Sequence, residues 1–208
     1  MKNKPVVIIG GGGHASVVYD SLIECGREVL GFITPNREKG TSFCNSEVLG
    51  QDKDILKYKP QNIELANGIG FIFENQNRFN VAKKMREDGY SFTTIVHPSA
   101  ILGKRVDLGE GVQIMAGSIV QHGTKIGNDT IINTGTILDH NCHIERNCHI
   151  ATGVVCAGNI KIKNNTFIGA GSVIIHDISV GSYCMVAAGS VVFENLNDET
   201  KFIQKKHK

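Results

Sequence analysis

An α/β unit built on a parallel sheet, followed by a triangular parallel β-solenoid, is the architecture this sequence predicts. Three observations predict it. From Val96 to Val191 the chain repeats every six residues without a break. Ahead of that stretch, a short apolar run enters four consecutive glycines, Gly10 to Gly13, and a helical pattern follows. The two patterns do not overlap, which divides the chain into residues 1–91 and residues 92–208.

In the first unit, Pro5 to Ile9 reads as a buried strand, and Ala15, Val18, Leu22 and Cys25 mark one face of a helix that Gly26 stops. Glu28 to Ile33 reads as a second strand and Asn62 to Ala66 as a third, ending in Asn67-Gly68-Ile69-Gly70. Phe79, Ala82 and Met85 line a further helix closed by Gly89. Strand, glycine loop, helix, strand is a parallel α/β unit of Rossmann-like topology. Backbone N–H groups exposed at the helix start suit an anion such as a pyrophosphate, whereas a tight turn alone would need fewer glycines. A dinucleotide fits poorly, because Gly31-Phe32-Ile33-Thr34-Pro35 ends the second strand without the acidic residue that usually meets a ribose hydroxyl. A sugar nucleotide fits better.

In the second unit, every sixth position from Val96 to Val186 is Val, Ile or Leu, except Cys156. Four residues after each stands a smaller set that includes Ser118, Thr124, Thr130, Thr136, Cys142, Cys148 and Ser172. A helix has no use for a period of six, but three hexads make one eighteen-residue solenoid coil. The aliphatic residue points inward and the small one fits a tight corner. Residues 192–208 are placed to cap the last coil and its unpaired strand edges.

Composition narrows the function. A net charge of +2 with 20% charged residues gives a nucleic-acid surface no support, and the terminal KKHK reads as a solvated end. The apolar run after MKNK is too short for a signal peptide and no segment reaches membrane-spanning length, so a cytoplasmic protein without membrane insertion is expected. Of six cysteines, Cys142, Cys148, Cys156 and Cys184 occupy inward or corner positions and no CxxC pair exists, which points to packing and to no metal.

Residues eighteen apart stack one strand spacing apart, roughly 4.8 Å. His122, His140, Gly158 and His176 form one such column, and His149 lies half a coil beyond His140, so the two could converge only between subunits. The carboxylate of Asp139 could orient the His140 imidazole as a general base, or His140 could be a plain exposed histidine. His143 aligns with Lys125 and Lys161 in a charged stripe.

The start IIGGGGHA, the entry His97-Pro98-Ser99-Ala100, and the stretch from Asn133 to Cys142 within hexapeptide repeats together resemble the sialic acid O-acetyltransferase and UDP-bacillosamine N-acetyltransferase family of bacterial sugar acyltransferases. The resemblance covers nearly the whole chain. It implies an N-terminal Rossmann-like domain, a left-handed parallel β-helix, and a homotrimer with acetyl-CoA between adjacent β-helices. It implies that His140 takes the proton from the acceptor, that His149 contacts the thioester region, and that Ala170 and Ala188 lie where backbone meets the pantetheine arm. It implies that Gly12, Gly13 and His14, with Thr34, Pro35 and Gly68 nearby, bind a nucleotide-linked amino sugar that reaches His140. Transfer would be direct, without a covalent intermediate. O-acetylation of a sugar such as sialic acid is the alternative; a γ-carbonic-anhydrase-like zinc enzyme and a non-catalytic scaffold are more distant ones. Two departures stand out: Asn141 replaces the glutamate that follows the histidine in the bacillosamine enzymes, and Phe202-Ile203-Gln204-Lys205-Lys206 replaces a Gly-x-Pro-Ala-Lys segment near CoA.

Overall fold

The computed structural model describes residues 4–204; Lys205 and Lys206 of the departing tail, and the KKHK end, lie outside them. The chain divides into two compact units, Met1–Ile95 and Val96–Lys208. Among the described residues no helix is long and apolar enough to cross a membrane.

The first unit contains β1 (Val6–Ile9), α1 (Gly13–Glu24), β2 (Val29–Ile33), β3 (Ser42–Phe43), β4 (Ser46–Gly50), β5 (Glu64–Asn67) and α2 (Asn77–Glu87). Its sheet runs β3-β4-β2-β1-β5, parallel throughout except for β3. Val6, Val7 and Ile8 are wholly buried, as a central parallel strand covered on both faces requires. β2 lies on one side of β1 and β5 on the other, so the chain reverses its lateral direction at the carboxyl end of β1, where such folds place their ligand crevice. The third strand starts two residues later than the sequence predicts, because Lys59 to Asn62 form a turn closed by a 2.9 Å hydrogen bond. The β3–β4 hairpin carries no turn signal in the sequence. Its turn residues Cys44 and Asn45 both have positive φ, 49° and 57°, the pairing a type I′ turn needs.

The second unit is the β-helix. Two-residue strands from Ile101–Leu102 to Val191–Val192 form three parallel sheets, each strand paired with the one eighteen residues on, as in Ile119 with Ile137 and Ile137 with Val155. The inward residues from Ile114 onward are buried, whereas Leu102 in the first coil is 38% exposed. Full burial of each such side chain contributes roughly 1.5–3 kcal/mol before entropy.

The corners explain the rest of the repeat. One residue per hexad has positive φ, from Arg105 through Gly111, Gly117 and onward every sixth position to Gly189. Glycine, asparagine and aspartate tolerate this conformation best, and they occupy all but two of these corners, the others being Arg105 and Tyr183. At the corners where the next residue is Ser, Thr or Cys, smallness serves a second purpose: the side chain donates a hydrogen bond across to the following coil. Ser118, Thr124, Thr130, Thr136, Thr166 and Ser172 each reach the backbone carbonyl fifteen residues ahead, at 2.7 to 3.1 Å. The thiols of Cys142 and Cys148 do the same at 3.3 and 3.0 Å.

The C-terminal segment closes the last coil. Lys201–Phe202 pairs with Met185–Val186, Leu196 bridges Val180, and the Asn195 side chain accepts the N–H of Ser179. The Asp198 carboxylate accepts the N–H of Ser182, which holds its pKa below the usual carboxylate value.

Candidate functional site

Each unit carries one candidate site. In the first, a cavity of about 290 Å³ opens at the carboxyl end of β1. Gly10 to Gly13 and His14 form one wall, Thr34, Pro35 and Asn36 a second, and Gly68, Ile69 and Gly70 a third.

The four glycines do two different jobs. Gly10 has φ of 111°, and a Cβ there would lie 2.9 Å from the carbonyl carbon of Gly68. A Cβ on Gly11 would lie 2.8 Å from the Thr34 side chain. These two are glycine because the protein packs against them. Gly12 and Gly13 are exposed, and a Cβ on either would meet nothing within 4 Å. Their bare backbone, opening α1, is left accessible from outside, the arrangement that favours an anionic group.

Thr34 is buried, packs on Gly11 and accepts the N–H of Asn36 at 3.3 Å, so it braces the wall. The opposite wall is braced by Arg78, buried at 3% exposure, which donates to the carbonyls of Asn67 at 2.8 Å and Ile69 at 2.6 Å. The Asn67 side chain closes the device by donating to the Arg78 carbonyl and accepting the N–H of Ile69, both at 3.1 Å. The sequence does not mark Arg78, because α2 is polar along most of its length and hides one buried cation among surface ones. Asp52, from the turn after β4, also lines the cavity. It is the nearest thing to the acidic residue missing from the end of β2, and only the sheet order brings it there.

In the β-helix, His140 occupies the corner after the strand Ile137–Leu138, between Asp139 and the positive-φ residue Asn141. The column read from the repeat is present: the N–H of Asn141 bonds the His122 carbonyl, that of Asn159 the His140 carbonyl, and that of Asp177 the Gly158 carbonyl. The His140 ring is exposed, and its Nδ1 lies 3.1 Å from the Asn141 side-chain nitrogen. The Asp139 carboxylate accepts the backbone N–H of His140 at 2.7 Å instead of meeting the ring. Thus Asp139 fixes the corner, and Asn141 touches the imidazole.

His149 belongs to a different sheet, in the strand His149–Ile150. Its Nε2 lies 3.2 Å from the Asn133 amide and its ring meets Phe167 edge-on, with centroids 5.4 Å apart. Ala170 and Ala188 are exposed and stack on a third corner of the prism. That corner differs from the other two. Its positive-φ residues are Gly117, Gly135, Gly153, Gly171 and Gly189, with no asparagine or aspartate among them. A Cβ on Gly135, Gly153, Gly171 or Gly189 would meet nothing within 4 Å. Their positive φ favours glycine, but nothing inside the protomer packs against the bare edge.

Burial pushes the Cys148 thiol up to about 12, and it pushes Cys142, Cys156 and Cys184 up as well, so none is poised as a nucleophile. Among the described residues no group of three or more His, Cys, Asp or Glu side chains could hold a metal ion.

Comparison with known proteins follows the same division. Residues 5–85 match the PglD N-terminal domain, and residues 105–140, 123–158 and 159–194 match the bacterial transferase hexapeptide model. A His→Asn variant of perosamine N-acetyltransferase from Caulobacter crescentus, solved with CoA and GDP-perosamine, is 34% identical to this chain. The match covers 93% of this chain and 90% of that one, with a TM-score of 0.86. The chain belongs to this family of bacterial sugar acyltransferases. Another member, the acetyltransferase domain of PglB from Neisseria gonorrhoeae FA1090 in complex with acetyl coenzyme A, is 25% identical, with 95% of both chains covered and a TM-score of 0.87. A UDP-N-acetylbacillosamine N-acetyltransferase from Bacillus subtilis (strain 168) is 29% identical over 119 residues, 56% of this chain. That match spans about half of the relative's length, 52%.

Proposed function

We propose that this chain is an acetyl-CoA-dependent N-acetyltransferase acting on a nucleotide-linked amino sugar. One observation carries the reading: an exposed imidazole, anchored at Nδ1 by Asn141, stands on a scaffold whose relatives were solved with CoA, acetyl-CoA and GDP-perosamine. The diphosphate of the sugar nucleotide suits the bare N–H groups of Gly12 and Gly13, beside His14, Pro35 and Gly68. Acetyl-CoA suits the glycine corner at Ala170 and Ala188, where the open edge lets a narrow pantetheine chain lie against backbone.

In the reaction, the acceptor nitrogen attacks the thioester carbonyl carbon, His140 takes the proton that the nitrogen sheds, and the C–S bond breaks to release CoA. The base must present a lone pair at Nε2, so the proton sits on Nδ1. A half-turn of the Asn141 amide puts its oxygen against Nδ1–H and holds that tautomer. A neutral amide orients the ring without the added charge that a glutamate would bring. Holding both substrates makes the attack effectively unimolecular, and a positioned base adds roughly 10²–10⁴-fold. Backbone N–H groups are the natural donors to the oxyanion.

A homotrimer is part of the proposal. The outward residues of one prism face are Ile101, Ile119, Ile137, Val155, Val173 and Val191, and five of the six are 36 to 60% exposed. The corresponding column on another face is Asp107, Lys125, His143, Lys161 and Ser179. An apolar face of that kind suits a second copy of the chain, and in a trimer His149 of one subunit would join His140 of the next.

The deciding experiment is a thiol-release assay with acetyl-CoA and a panel of nucleotide-linked amino and hydroxy sugars. Amine acceptors should turn over. His140→Ala should lose at least about 100-fold in kcat while keeping its affinity for both substrates. Preference for hydroxyl acceptors would favour O-acetylation, and stoichiometric zinc with CO₂ hydration and no CoA binding would overturn the reading.

A further inference from the structure

We infer that Gly158 is a positioning residue for the acyl transfer: its missing side chain opens the notch into which the His140 ring presents Nε2. This inference rests on the reading of His140 as the general base.

Most glycines of the β-helix are explained by backbone. Gly135, Gly153, Gly171 and Gly189 have positive φ, while Gly103, Gly127 and Gly169 stand where a Cβ would strike the backbone of the next coil at 2.5 to 2.7 Å. Gly158 fits neither group. Its φ lies outside the left-handed region, so any residue could adopt its conformation. The three atoms nearest to a Cβ at this position all belong to one imidazole: Cε1 and Nε2 of His140 at 2.6 Å, and Cδ2 at 3.2 Å. Gly158 is buried although its column neighbours His140 and His176 are exposed, as expected if the ring covers it.

The column therefore has a gap one coil deep. Lys104, His122, His140 and His176 fill their levels with long side chains, and the level of Gly158 is left open. The His140 ring leans into that opening, with its Nε2 edge foremost. Asn141 holds the opposite edge at Nδ1. The ring is thus located from two sides, by a hydrogen bond at one nitrogen and by an absent methyl group beside the other.

An alanine at 158 suits the local backbone and conflicts only with the ring. Restoring a normal contact of about 3.5 Å moves the imidazole by about 1 Å, a displacement that can cost on the order of 100-fold in rate. Gly158→Ala in the full-length protein should lower kcat by that factor. It should leave KM for acetyl-CoA, affinity for the sugar nucleotide and Tm nearly unchanged. In the ligand-free protein the His140 side-chain ¹⁵N–¹H correlations should shift. In a His140→Ala background, Gly158→Ala should have no further effect on turnover, because the ring it displaces is gone.

Wild-type kcat together with undisturbed His140 resonances in Gly158→Ala would overturn the inference. So would an added loss in the double variant, which would reveal a structural role. If instead His140→Ala itself retained full turnover, the general-base reading would fall, and the resonance shift in Gly158→Ala would still report whether the ring is placed as described.

Discussion

Gly171→Asn separates folding from cosubstrate binding, because nothing packs against this glycine and asparagine adopts the same backbone conformation at the other corners. Gly171 has φ of 67°, close to the 58° of Asn141, the 60° of Asn159 and the 58° of Asn165. Asparagine is thus already the residue that this fold uses for the conformation at its other corners. A Cβ at Gly171 would meet nothing within 4 Å, so the protomer has room for it. The expected stability cost is below about 1 kcal/mol, equivalent to a Tm shift of about 2–4 °C at this chain length. The added side chain would project over the edge between Ala170 and Ala188, where the pantetheine arm is proposed to lie. Overpacking of this sort costs about 1–3 kcal/mol, and at a midpoint of about 2 kcal/mol the acetyl-CoA Kd rises by roughly 30-fold. Isothermal titration with acetyl-CoA measures the affinity, sedimentation checks that the assembly is unchanged, and Asn165→Gly serves as the reverse substitution on the corner away from both His140 and Ala170, where acetyl-CoA affinity should not change. Wild-type affinity in a normally folded and assembled Gly171→Asn would refute the placement of CoA on this edge.

Three further outcomes follow from the coil chemistry and the exposed face. Thr130 donates to the Glu145 carbonyl at 2.7 Å and accepts the Cys148 N–H at 3.0 Å while fully buried, so Thr130→Val strands two polar groups and should cost about 2–5 kcal/mol in urea unfolding. Thr130→Ser should cost only about 1 kcal/mol for the lost methyl, and a Val variant no worse than the Ser one would contradict the corner hydrogen bonds. The Cys148 thiol keeps its proton to about 12 in the fold but loses it near 9 when unfolded. Its stabilisation is therefore complete below pH 9 and is lost as pH rises toward 12, by about 1.4 kcal/mol per pH unit, and a urea midpoint unchanged from pH 8 to pH 10.5 would deny it. Val155→Asp, on the apolar outer column, should turn a trimer into monomers by sedimentation velocity, and a wild-type profile would move the interface elsewhere.

The features legible in the sequence are those that repeat or that one residue type determines alone. The inward aliphatic positions follow from a period that every coil obeys, and the α/β unit follows from an apolar run ending in glycines. The β3–β4 hairpin was hidden because its turn uses Cys44, a residue that rarely advertises positive φ. The partner of the His140 ring was hidden for a related reason. Asp139 and Asn141 flank the histidine equally in sequence, and only the left-handed corner at Asn141 turns that amide toward Nδ1 while Asp139 faces the backbone. Gly158 could be placed in the histidine column by counting, but its meaning depended on where the neighbouring ring lies. Arg78 braces the cavity wall of the first unit and Asp52 lines the cavity, placed there by helix packing and sheet order, which no local pattern encodes.

The eighteen-residue pairing register also limits how this protein can change in length. Inserting or deleting one residue would turn every later aliphatic side chain out of the prism. Six residues would restore the inside but rotate the faces by a third of a turn, carrying the apolar outer column to a corner of the assembly where nothing receives it. Only a whole coil leaves each column in line. The β-helix is therefore quantised: it can grow or shrink by about one strand spacing at a time, and each step lengthens or shortens the glycine edge without disturbing the chemistry on the other corners.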